Sequence, residues 1–310
     1  MKKNFVILFL FSFAFIATNC VKKGVKEEWA IVLHGGAGSA KPMEPHVRQF
    51  YLDLLDQALE IGTSMLQEGA DALDVATQVV VWLEDCPFFN AGKGAVTTME
   101  GIHELDAAIM DGRNLQAGAV AGLRDIKNPI LAARHVMEDS PHVLLIGEGA
   151  SAFAAQMGLT VVENSYFSTR DPDPNGTVGC VVLDKNGNLA AATSTGGMSG
   201  KRWGRVGDVP VIGAGTYANN HTVAVSGTGH GELWIRRCVA FDISALMDYK
   251  GLSVEEAAAQ VIFEKIDPME GSGGGVICVD KEGNIAMEFN TGMMYRAWAT
   301  AGGERGAAIE

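Results

Sequence analysis

The sequence predicts a layered fold of helices and strands, α+β in its strand pairing. Three observations carry this reading: an apolar run ending in a glycine turn, two long segments whose apolar residues recur every three or four positions, and two hairpin patterns built on the same turn. Strands joined by tight turns pair antiparallel, whereas parallel neighbours need a crossover of a dozen or more residues.

In chain order, "WAIVLHGGAG" (29–38) reads as a buried strand entering a glycine turn. Val47, Tyr51, Leu54, Ala58, Ile61 and Met65 form one helical stripe, and Leu73, Ala76, Val79, Val80 and Leu83 form a second. "IKNPILAARHVME" predicts a third helix, with "HVLLIG" as a strand after it. "ENSYFSTRDPDPNG" is polar and rich in turn formers, which makes it the best internal boundary. Beyond it, "VVLDKNGNLAAATSTGG" predicts two strands about a tight Asn-Gly turn. "VICVDKEGNIAMEFNTG" repeats the design: the turn at Asp184 to Asn188 returns at Asp280 to Asn284, and a threonine, Thr195 or Thr291, closes each unit. Two such hairpins predict two layers, or two edges of one sheet system. "GELWIRRCVAFDISALMDYKG" and "SVEEAAAQVIFEKI" are helical in period, the second opened by a Ser253/Glu256 capping box.

A chain of 310 residues, 47% hydrophobic, has ample material for one large or two medium domains. Its net charge of −13 repels a phosphate backbone, and no run of Lys and Arg is interleaved with aromatics, so nucleic acid is excluded as a partner. The N-terminus stands apart from the fold. Lys2 and Lys3 precede an apolar run over residues 5–17, short for a bilayer span and typical of a secretory signal, assigned here to residues 1–20. Cys20, after "IATN", resembles a lipoprotein-processing box that would make it the lipidated first residue; ordinary signal cleavage nearby is the alternative. Either places the protein outside the cytoplasm, periplasmic or as a membrane-anchored lipoprotein. Cys86, Cys180, Cys238 and Cys278 show no metal-type spacing and read as small buried apolar residues.

The sequence holds no GxSxG elbow, HExxH, P-loop or strand-GxGxxG-helix unit. His34 and His230 lie beside glycines and could line a site, but the other histidines read as surface or core, and a histidine mechanism is not favoured. What remains are threonines next to glycines: Thr177, Thr195 and Thr228. A threonine hydroxyl is a poor nucleophile until something takes its proton. If the chain breaks between Gly176 and Thr177, the new α-amine, titrating at about 7.7 to 8.0, becomes a base within reach of the hydroxyl of the same residue. The abrupt change in "PDPNGTVGC" from turn formers to a strand then has a purpose, since Gly176 leaves its carbonyl open to attack by the Thr177 hydroxyl. An N-to-O acyl shift followed by ester hydrolysis would make the catalyst from its precursor.

"GTVG", "TSTGG", "GRVGD", "GAGTYANN" and "GTGHGE" resemble the plant-type L-asparaginase/isoaspartyl peptidase family of N-terminal nucleophile hydrolases, as do "LHGGAGS", "LEDCPFFNAGKGAV", "HELDAAIMDG", "GSGGGVICVD" and "FNTGMMYRAW". The resemblance implies a four-layer αββα sandwich, a precursor split into an α part (21–176) and a β part (177–310) of one structural domain, and a dimer of such pairs. It implies Thr177 as nucleophile and base, Thr195 as its neighbour in maturation, and the Thr228 hydroxyl with the Gly229 amide as an oxyanion hole. It further implies Arg205 on the substrate α-carboxylate, Asp208 and the Gly231 carbonyl on the α-ammonium, and Asn90 holding its loop near the nucleophile and the substrate. No cofactor is implied beyond a structural sodium ion on main-chain carbonyls of Leu83, Glu84, Cys86, Phe89, Ala91 and Lys93. Lys93 stands where an apolar residue is expected, and its ammonium would weaken that site. The linker before Thr177 is shorter than in many members. The implied substrates are L-asparagine and β-aspartyl dipeptides. A glycosylasparaginase is the nearest alternative, and an inactive periplasmic binding protein is the alternative outside enzymes.

Overall fold

The computed structural model describes residues 26–168 and 176–310. The segment read from the sequence as an export signal, with Cys20, and the centre of the turn-rich boundary lie outside the described residues. Among the described residues, twelve strands form two sheets. The strands are β1 (Ala30–Gly38), β2 (Leu105–Asp111), β3 (Ala117–Leu123), β4 (Leu144–Ile146), β5 (Val178–Leu183), β6 (Leu189–Thr195), β7 (Thr216–Ala218), β8 (Val223–Gly229), β9 (Gly274–Asp280), β10 (Ile285–Phe289), β11 (Met293–Thr300) and β12 (Arg305–Ala308). The larger sheet has eight strands in the order β12-β11-β1-β5-β6-β2-β3-β4, and the smaller has four, β10-β9-β8-β7.

Helices α1 (Pro45–Gln67), α2 (Ala72–Asp85) and α3 (Pro129–Asp139) cover the outer face of the large sheet, with α4 (Gly147–Gln156) against β3 and β4. The small sheet lies on the inner face, covered in turn by α6 (Val239–Lys250) and α7 (Val254–Ala259), with α5 (Gly231–Arg237) leading into α6. The layers therefore run helix, sheet, sheet, helix. Two cores result. Ile31 and Leu33 of β1 join the core under α1 to α3, while Ala30 and Val32 join the core between the sheets and under α5 to α7. Alternation with period two splits one buried strand between two cores, which is why its sequence reads as an unbroken apolar run.

The predicted hairpins form β5–β6 in the large sheet and β9–β10 in the small one, so they belong to two layers. Among the strands named, the ladders are antiparallel except that of β3 with β4, which are joined through α3 as a crossover. The α2 stripe is buried as read. That of α1 is rotated: Leu55, Leu59, Gly62 and Leu66 face the sheet, while Leu54, Ile61 and Met65 are half-buried at its flank. The long helical segment after β8 breaks at Cys238, whose φ of 49° ends α5 and starts α6. The Ser253/Glu256 capping box forms, and α7 continues as a π-type turn over Gln260–Ile266. Strands β2 and β3 are rich in Ala and buried on both faces, so no alternation marked them.

The twin turns differ in one respect. Asp184 accepts from the Asn186 and Asn188 amides, both at 2.9 Å, as Asp280 does from those of Glu282 and Asn284 at 2.8 and 2.9 Å. Asp184 also accepts from the Ala72 amide at 3.0 Å, tying the hairpin to the start of α2. Asp184→Ala should therefore lower stability further than Asp280→Ala, the extra orphaned amide costing about 1–3 kcal/mol. Urea midpoints at an unchanged m value measure the difference.

Candidate active site

Thr177 stands immediately before β5, at the head of a strand flanked by β1 and β6. Val178 opposes Ser194 on β6, and Thr177 and Thr195 both point into the space between the sheets. The Thr177 hydroxyl donates to Thr195 Oγ1 at 2.9 Å, and the Gly197 amide donates to the same oxygen at 3.0 Å. That amide holds Thr195 still. Ser194, on the opposite face, donates to Glu84 at 2.7 Å, and burial pushes the Glu84 carboxyl up to about 8.

Gly176 is pressed from two sides. Gly36 sits at a bulge of β1 with φ of 105°, and a Cβ there would fall 2.4 Å from Gly176 Cα, so position 36 must be glycine on both counts. On the other side, a Cβ on Gly176 would lie 3.5 Å from Thr228 Oγ1, at the end of β8 in the facing sheet. Thr228 is buried and Gly229 follows it into the turn before α5.

That turn leads to the second cluster. A Cβ on Gly231 would lie 2.8 Å from an Arg205 nitrogen and 2.9 Å from Asp208 Oδ1, which places all three residues together. Asp208 is buried, its Oδ2 has no hydrogen-bond partner, and burial pushes its carboxyl up to about 7. Arg205 does not pair with Asp208. Its guanidinium forks onto Glu232, Nε and a terminal nitrogen each donating at 2.9 Å, and this hydrogen bonding holds the Glu232 carboxyl down to about 2. His230 Nε2 lies 3.2 Å from the same carboxylate. Glu232 was not read from the sequence as a site residue, although it ends the quoted "GTGHGE".

Asn90 acts on main chain. Its Nδ2 donates to the Gly197 carbonyl at 2.8 Å, and its Oδ1 accepts from the Val96 amide at 3.0 Å, so it links its own loop to the turn after Thr195. A second omission from the sequence reading lies beside it: Asp106 opposes Thr195 across β2 and β6, with Lys201 Nζ 3.9 Å away, and both are buried.

In the loop after α2, a Cβ on Gly92 would lie 2.3 Å from the Glu84 carbonyl oxygen, and one on Gly94 would lie 2.2 Å from that of Phe89, so the loop packs its glycines directly onto its own main chain. Leu83, Cys86 and Ala91 are buried in the same loop, and the Lys93 ammonium lies 5.5 Å above the Tyr166 ring.

Two face-to-face sheets between helical layers, with a threonine hydroxyl set at the head of a central strand, define an N-terminal nucleophile hydrolase fold. The family described as asparaginase matches residues 27–174 and 171–309. The chain is 50% identical over 299 residues to the isoaspartyl peptidase of Escherichia coli (strain K12), covering 88% of this chain and 93% of that one. It is also 50% identical over 299 residues to the isoaspartyl peptidase of Salmonella typhimurium, covering 88% and 95%. With the isoaspartyl peptidase/L-asparaginase of Danio rerio it shares 39% over 298 residues, covering 87% and 91%. The chain belongs to the asparaginase family.

Asn90→Ala would orphan the Val96 amide and release the Gly197 carbonyl. Faster hydrogen exchange at Val96 and at residues 196–198 is expected, with a stability loss of about 1–3 kcal/mol.

Proposed function

We propose that this chain is an amidohydrolase that splits itself between Gly176 and Thr177 and then hydrolyses β-aspartyl dipeptides and L-asparagine through the freed threonine. The observation that carries this is the Thr177 hydroxyl, fixed 2.9 Å from Thr195 and flanked by Gly176 and Thr228. In the precursor, Thr177 Oγ attacks the Gly176 carbonyl while Thr195 orients the hydroxyl. The C–N bond breaks as the ester forms, and water releases the Gly176 carboxylate. The new α-amine then takes the proton from Thr177 Oγ as it attacks the substrate side-chain carbonyl. Thr228 Oγ1 and the Gly229 amide stabilise the oxyanion. Donors of this kind are worth about 2.7–4 kcal/mol each when preset. Ammonia or a peptide amine leaves with the proton, and water frees aspartate.

Arg205 and Asp208 would recognise the substrate's α-carboxylate and α-ammonium, with the Gly231 carbonyl as a second acceptor, and Asn90 would stiffen the loop behind Thr195. An incoming α-carboxylate competes with Glu232 for the guanidinium fork. A sodium ion on the main-chain carbonyls of Leu83, Glu84, Cys86, Phe89, Ala91 and Lys93 would supply rigidity to that loop. The mature protein would comprise an α part ending at Gly176 and a β part of residues 177–310, paired and dimerised and exported by its N-terminal signal; the α part would begin at Cys20 where that residue carries a lipid anchor, and at residue 21 where the signal is simply cleaved.

On a denaturing gel the purified protein is expected as two fragments, one beginning TVGCVV, and Thr177→Ala as a single inactive band. A wild-type protein that hydrolyses β-Asp-Leu while remaining one band would overturn the mechanism. pH supplies a further check. A carboxyl raised to about 7 is ionised only above that value, so ammonium binding by Asp208 strengthens as pH rises. kcat/KM should therefore climb through an acid limb near 7 that disappears in Asp208→Asn, whereas the limb due to the Thr177 amine persists in kcat.

A further inference from the structure

Lys201, in the turn after Thr195, is a buried cation that the proposed mechanism leaves unused. Its side chain is at 1% exposure, and its Nζ donates to the carbonyl of Glu104, the residue before β2, at 2.9 Å. Asp106 of β2 faces it: that side chain is at 0% exposure, with Oδ2 3.9 Å from Nζ. Asp106 Oδ1 accepts from the Gly122 amide at 2.9 Å, whereas Oδ2 has no hydrogen-bond partner. Burial lowers the proton affinity of the Lys201 amine and raises that of the Asp106 carboxyl, and the charge of each opposes the shift of the other. A lysine is almost never buried this deeply without a counter-charge. Two ions taken out of water gain little net stability from each other, so what such a pair supplies is a fixed position.

The position it fixes is that of the turn. The Lys201 side chain lies against Gly197: a Cβ there would fall 3.0 Å from Nζ and 3.2 Å from Cδ, and the φ of 80° is left-handed. Gly197 donates its amide to Thr195 Oγ1 at 3.0 Å, the oxygen that accepts from the Thr177 hydroxyl at 2.9 Å. Asn90 holds the Gly197 carbonyl at 2.8 Å. Farther along, the Gly200 amide donates to the Thr97 carbonyl at 2.8 Å, and the Lys201 carbonyl accepts from the Met99 amide at 3.0 Å. The ammonium adds a tie to β2, the strand on which Asp106 is the register partner of Thr195. The turn thus leaves β6 at Thr195 and is bolted back to the neighbouring strand at the same level.

We propose that Lys201 is a positioning residue for Thr195: its ammonium, anchored on the Glu104 carbonyl and facing Asp106, holds the turn so that the Gly197 amide meets Thr195 Oγ1. It acts on the Thr177 hydroxyl only through Gly197 and Thr195. The inference rests on Thr177 being the nucleophile.

Charge balance and position can be separated by substitution. Lys201→Met keeps the apolar stem, removes the ammonium and leaves Asp106 buried without its counter-charge, so melting temperature, rate of self-splitting and kcat per split chain should all fall. Adding Asp106→Asn removes the second charge and keeps an acceptor for the Gly122 amide, so the melting temperature should return most of the way to wild type. The rates should not recover. In both variants splitting and kcat are expected roughly 10- to 100-fold below wild type, up to the loss that an ångström of misplacement brings. The Gly197 amide should exchange its hydrogen faster in both variants than in wild type. Wild-type rates in Lys201→Met, or recovery of splitting and kcat together with thermal stability in the double variant, would overturn the assignment. The exchange measurement needs no turnover: a wild-type protein that neither splits nor hydrolyses sinks the reading of Thr177, whereas unchanged exchange at Gly197 in the variants sinks that of Lys201.

Discussion

The antiparallel register of β5 between β1 and β6 is the constraint on which the rest of the site depends. It sets Thr177 beside Thr195, His34 opposite Gly179, and Val181 and Leu183 into the inter-sheet core. Side chains alternate with a period of two, so a slip of one residue would turn Thr177 toward α2 and Val178 into the gap between the sheets. All six residues of β5 are buried, and the cores on its two faces resist that slip together. The packing that stabilises the sandwich is thus the same packing that aims the hydroxyl.

The polar groups fall into separate clusters. His34, Ser226, Thr193 and Thr216 lie together between the sheets, buried Asp106 and Lys201 stand beside Thr195, and the Arg205, Asp208 and Glu232 group collects at the turn from β8 into α5. A buried carboxyl with an open oxygen, beside a guanidinium whose fork is filled by an internal carboxylate, suits a zwitterion that brings its own ammonium and carboxylate. Glu232 is half-exposed, which lets the fork open without uncovering a buried charge.

Several features were legible in the sequence for local reasons. The twin Asp-Lys-x-Gly-Asn turns and the capping box each satisfy nearby main-chain amides, so their chemistry lies within a few residues. The α1 stripe was misplaced by about one residue because Val47 to Met65 offer apolar residues on adjoining faces, and only contact with the sheet selects Leu55, Leu59 and Leu66. Helix α4 escaped notice because it buries only Ala150 and Ala154, too little to leave a periodic mark.

The sequence by itself determined the layered class, the paired hairpins and the threonine at the turn-to-strand junction, since residue type and spacing encode turns and periods directly. Only the tertiary structure decided that Arg205 pairs with Glu232 rather than Asp208, that Asn90 serves the turn after Thr195, and that His34, Ser226, Thr193 and Thr216 join into one chain. Those partners come from different strands and loops. No local pattern records them, because what brings them together is the packing of one sheet on another.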